Sequence, residues 1–101
     1  MSTPDFSKHN EEDARLIILK HLAEVHGRRA SDTILVEVLD AFGHKRSREW
    51  VRTQIRRLED VGAVTVTAIG SVLIPELRQA GEDHVLRRAF LEGVRKPSAT
   101  L

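Results

Sequence analysis

The hydrophobic period of this chain changes at Gly62. Before it, residues 47–61, SREWVRTQIRRLEDV, carry Val51, Ile55 and Leu58 at helical spacing, with Trp50 at the edge of that stripe. After it, Val64, Val66 and Ala68 alternate with Thr65 and Thr67, the period of a half-buried strand. Ser47 stands at the N-cap position, where its hydroxyl can accept from an amide one turn on, and Gly62 suits a helix stop. The chain therefore holds an amphipathic helix that leads directly into a strand.

The other face of that helix is basic. Residues 44–58 hold Lys45, Arg46, Arg48, Arg52, Arg56 and Arg57 against Glu49 alone, a local balance of +5 in a chain of net charge +1. Residues 1–13 hold Lys8 against Asp5, Glu11, Glu12 and Asp13, a local balance of −3. A basic segment in a nearly neutral chain is the footprint of a local anionic partner. With 101 residues the chain fits one domain and one modest core. Its aromatics are Phe6, Phe42, Trp50 and Phe90, so that core must be aliphatic. The absence of cysteine excludes disulfides and thiolate metal sites. No apolar run has the length of a membrane span, and the N-terminus lacks the pattern of a signal peptide, so a cytoplasmic location is expected.

Residues 1–10 read as a flexible arm, with Asn10 a cap for a first helix over Glu11 to His26. Leu16, Leu19, Leu22 and Ala23 form its inward stripe, widened by Ile17, Ile18 and Val25. Arg28, Arg29 and Ala30 read as a connection. A second helix, capped by Ser31 or Asp32, runs to about Phe42 with Ile34, Leu35, Val38, Leu39 and Phe42 inward. Gly43 to Arg46 then turn into the basic helix. Beyond the first strand, residues 69–71 form a turn, Val72 to Ile74 return, and Pro75 stops the return strand. Residues 76–93 read as a further helix that Gly81 breaks or delays, and 94–101 as a short frayed tail. The expected organisation is an arm at 1–10, a domain at 11–93 and a tail at 94–101.

The order helix, helix, helix, two-stranded wing, helix resembles the winged helix-turn-helix superfamily, which is mainly α with a small β-hairpin wing. Within SREWVRTQIRRLEDVGAV, Leu58, Glu59, Gly62 and Val64 match the Leu-Glu-x-x-Gly-x-Val pattern that carries such recognition helices into their wing. The stretch LRQAGEDHV, residues 77–85, is similar to a Leu-Thr-x-x-Gly segment found after the wing, with Arg78 in place of threonine. Together with EGVRKPS the chain looks most like small winged-helix proteins of Mu-like phages and prophages labelled as arsenic-repressor-type regulators. The resemblance implies DNA binding or a role in phage gene control or assembly. Metal sensing by thiolates is not implied, because the chain has no cysteine.

If this helix enters a major groove, Arg48, Arg52, Thr53 and Arg56 are its base-edge candidates, and Lys45, Arg46, Ser47 and Arg57 its phosphate candidates. The bland alternative is a solvated face on which Glu49 repels phosphate or ties up an arginine. Trp50 is expected to pack rather than stack on bases. The tip Ala68 to Ser71 is uncharged, which makes the wing a weak DNA grip. The five histidines lack metal-ligand spacing and read as incidental surface residues, and no catalytic motif is present, so neither a metal, a cofactor nor an enzyme activity is expected. The apolar faces of the first and last helices suggest a homodimer. Two functions stand: a DNA-binding transcriptional regulator of phage type acting on double-stranded DNA, or a winged-helix module that binds another phage protein.

Overall fold

A computed structural model describes residues 6–99. In order they form α1 (Ser7–Glu24), a 3-10 turn (His26–Arg28), α2 (Asp32–Ala41), α3 (Arg48–Asp60), β1 (Val64–Ile69), β2 (Val72–Leu77) and α4 (Gln79–Val85). The molecule is mainly α with one two-stranded antiparallel hairpin, the architecture of a winged helix-turn-helix.

The core is aliphatic and lies where the three long helices meet the hairpin. Ala14, Ile18, Leu19 and Leu22 of α1, Leu35 and Leu39 of α2, and Val51, Ile55 and Leu58 of α3 are all fully buried. Val64, Leu73 and Leu77 close it from the hairpin side. Polar groups enter this core only with partners. Gln54 of α3 is buried, and its Oε1 accepts from Arg15 Nε at 2.9 Å.

Several elements differ from the sequence reading. The first helix begins at Ser7, because the Asn10 N–H already bonds the Phe6 carbonyl at 2.8 Å; Asn10 lies inside the first turns and does not cap. Residues 1–5 of the expected arm and 100–101 of the expected tail lie outside the described residues. Ile34 on α2 and Phe42 just past its end face solvent rather than the core, at 48% and 67% exposure, while the polar Asp32 is buried. Ser31, not Asp32, caps this helix by accepting from the Ile34 N–H at 3.3 Å.

The return strand runs through Pro75 to Leu77 instead of stopping. The Pro75 carbonyl turns away from β1 and accepts from the Ala30 N–H, so the missing proline N–H costs the β1–β2 ladder nothing. Arg29 bridges Glu76 on the same edge, so the connection before α2 adds a rudimentary third strand. Between Ile69 and Val72 the turn has two residues, and Gly70 at its first position has φ 59°, as in a type II′ turn.

The last helix is seven residues, not eighteen. Gly81 lies inside it, buried, because α4 passes the turn before β1 so closely that a Cβ there would lie 2.5 Å from the Ala63 carbonyl oxygen. After Val85 the chain turns at Arg87, whose φ of 61° ends the helical path. His84 is fully buried, not a surface histidine. Its Nδ1 accepts from the Leu91 N–H at 2.9 Å, so Nε2 carries the proton and donates to the Arg95 carbonyl at 2.8 Å. The tail is packed as far as Pro97: Val94 is buried, and the Arg95 N–H bonds the Glu12 carbonyl of α1.

Candidate nucleic-acid interface

Ser47 starts α3 by accepting from the Trp50 N–H at 3.1 Å, and the helix buries Val51, Gln54, Ile55 and Leu58. That anchoring turns Glu49, Arg52, Thr53, Arg56, Arg57 and Asp60 toward a shallow open groove, closed on its far side by Leu73 of β2. Trp50 is half-buried against the core, as its place at the edge of the stripe implies, and the Arg46 guanidinium lies 4.8 Å from its ring centroid.

Two of the four base-edge candidates are held by the protein itself. Asp32, the first residue of α2, is fully buried. It accepts from Arg48 Nε at 3.1 Å and Arg48 Nη2 at 3.4 Å, and from Arg52 Nη1 at 2.9 Å. Both arginines also donate to the backbone carbonyl of Ser71 in the wing turn, Arg48 at 2.7 Å. One carboxylate thus ties the start of α2, the first two turns of α3 and the tip of the hairpin together. Burial pushes the Asp32 carboxyl up, but the hydrogen bonds from Arg48 and Arg52, the Arg48 charge and the Leu73 N–H prevail and leave it below its ordinary value.

The other candidates are more open. Arg56 is half exposed and pairs with Glu59 at 2.9 Å, a surface contact that water and salt screen. Thr53 spends its hydroxyl proton on the Glu49 carbonyl at 3.1 Å and keeps its lone pairs. Lys45, Arg57 and Glu49 are exposed, and none has an ion-pair partner among the described residues. Arg28, in the connection before α2, is paired with Glu82 at 2.9 Å.

The turn between α2 and α3 is fixed from behind. His44 Nε2 donates to Asp13 of α1 at 2.7 Å, and Arg95 donates to the other oxygen of the same carboxylate at 2.7 Å. Burial raises the Asp13 carboxyl and these two partners lower it by more, so it too titrates below its ordinary value. Among the described residues no group of three or more histidines, cysteines or carboxylates is placed to hold a metal ion. No helix among them is long and apolar enough to cross a membrane.

The fold is mainly α with a small β-hairpin wing, compatible with a winged helix-turn-helix. No protein-family model matches the chain, and no solved structure matches it. It is 38% identical over 86 residues to the uncharacterized protein gp26 of Escherichia phage Mu, covering 85% of this chain and 88% of that protein. It is also 40% identical over 55 residues to an uncharacterized protein of Haemophilus influenzae, spanning about half of each chain. The chain belongs to the family of phage Mu gp26.

Proposed function

We propose that this protein is a non-catalytic, double-stranded-DNA-binding winged helix of phage type, acting in transcriptional control in the host cytoplasm. The observation that carries the reading is the exposed basic surface of α3 and the turn before it, where Lys45 and Arg57 have no acidic partner and Arg46 and Arg56 are held only by surface contacts. Such a surface, on the helix that a winged helix directs into the major groove, suits a row of phosphates. Arg48 and Arg52 add charge beneath it, since Asp32 neutralises only one of the two. The arsenic-repressor label enters only as a likeness of helix order, without thiolate metal sensing.

A homodimer belongs to this reading. With α4 so short, the pairing surface falls to the outer side of α1, where half-buried Ile17 lines a pocket with exposed Phe42, Lys20, His21 and Glu24. Anisotropy titration of a labelled duplex tests the whole: Lys45→Ala with Arg57→Ala is expected to weaken binding by about tenfold or more without lowering stability. Unchanged affinity contradicts it.

A second reading, a protein-interaction module for another phage protein, is favoured by the uncharged wing tip, whose Ile69 is 62% exposed, and by the free Glu49 carboxylate. Retention of a phage partner protein without retention of duplex DNA at low salt decides for it.

A further inference from the structure

Arg48 and Arg52 share one carboxylate and one carbonyl, but they spend different N–H groups on them. Arg48 gives Nε–H and one Nη2–H to Asp32 and its other Nη2–H to Ser71, so no pair of parallel donors on two nitrogens remains. Arg52 reaches both acceptors through Nη1 alone. Its Nε and Nη2 have no hydrogen-bond partner among the described residues, and no fully buried side-chain nitrogen there is left unpartnered, so neither is sealed from solvent. Arg52 lines the groove beside Thr53 and Arg56. Its guanidinium is pinned at one corner, with the opposite two-donor edge intact.

That edge matches the O6 and N7 acceptors of guanine in a major groove. It would also match two phosphate oxygens, but Glu49 argues against a phosphate there. Its carboxylate is exposed, unpaired and one turn before Arg52 on the same groove. A phosphate would be repelled by it, whereas a base edge offers the cytosine amino group as a donor to such a carboxylate. We infer that Arg52 reads a guanine, with Asp32 and the Ser71 carbonyl as positioning groups that fix its plane and with Glu49 facing a cytosine amino group. Arg48 belongs to the clasp and reads nothing. This rests on the DNA-binding reading above and narrows it to one arginine.

The test is selection of bound sequences from a random duplex pool, followed by anisotropy on the selected duplex and on the same duplex with the preferred guanine replaced. The wild type, Arg52→Lys, Arg48→Ala and Asp32→Asn are compared at a temperature where circular dichroism shows each folded. The wild type is expected to prefer one guanine by about 5- to 150-fold. Arg52→Lys loses that preference while still binding duplex. Arg48→Ala keeps it despite lower stability, and Asp32→Asn weakens it while retaining salt-sensitive binding. A guanine preference that survives in Arg52→Lys, or that Arg48→Ala erases equally, overturns the assignment while leaving DNA binding in place. Absence of any duplex binding by the wild type overturns both. If Asp32→Asn does not fold, the contrast between Arg52→Lys and Arg48→Ala decides alone.

Discussion

Arg52 Nη1 lies 2.9 Å from Oδ2 of the fully buried Asp32, and the same nitrogen donates to the Ser71 carbonyl at the tip of the hairpin. With Arg48, which makes the same two contacts, Arg52 ties the wing turn to α3. A buried carboxylate is costly without partners, and here three guanidinium hydrogen bonds from two residues supply them.

Asp32→Asn is expected to destabilise the fold by about 2–3 kcal/mol. Removing one member of a buried pair costs more than that, but Arg48 and Arg52 keep part of their surface in water, which lowers the penalty. Urea unfolding followed by circular dichroism checks it, with a lower midpoint and an unchanged slope expected. A midpoint equal to that of the wild type would show that the clasp adds no stability.

Acid should unfold the protein from the carboxylate side. Asp32 and Asp13 both sit below their ordinary values: burial raises each, and their basic partners lower each by more. A depressed carboxylate contributes stability that is complete above its unfolded value, about 4, and is lost as pH falls through the folded value. The urea midpoint should thus decline from about pH 4 downward. Asp32→Asn should flatten that decline relative to the wild type; a decline of the same steepness in both would contradict the assignment.

Gly81→Ala should cost about 1–3 kcal/mol, the usual penalty for overpacking. The added carbon would meet the Ala63 carbonyl oxygen at 2.5 Å and Leu77 Cδ1 at 2.7 Å, and the first of these is backbone that cannot swing aside. Alanine is otherwise the better helix former by nearly 1 kcal/mol. A stabilised variant, read from thermal unfolding, would therefore show that α4 does not pass Ala63 this closely.

Local signals were legible and convergent ones were not. The Ser47 cap, the α3 stripe and the switch of period at Gly62 each depend on residues within a turn or two, and each appears where the sequence places it. Asp32 was visible only as one of two cap candidates; its role needs Arg48, Arg52 and Ser71, which only the folded hairpin brings to it. The same holds for His84, whose partners Leu91 and Arg95 come from a segment read as helix end and frayed tail. Pro75 reads as a stop because sequence alone does not tell which way its carbonyl faces. Ile34 and Phe42 have helical spacing with Leu35 and Leu39, yet lie off the centre of the buried stripe.

The salt dependence of duplex binding tests the central proposal most directly. If Lys45, Arg46 and Arg57 meet phosphates, log affinity should fall with log salt at a slope of about −3 per protomer, from about −0.9 for each phosphate neutralised. Removing Lys45 and Arg57 together should flatten that slope by about 2. Affinity that does not change with salt, or no duplex binding at low salt, would contradict the account and leave the basic edge of α3 to a protein partner.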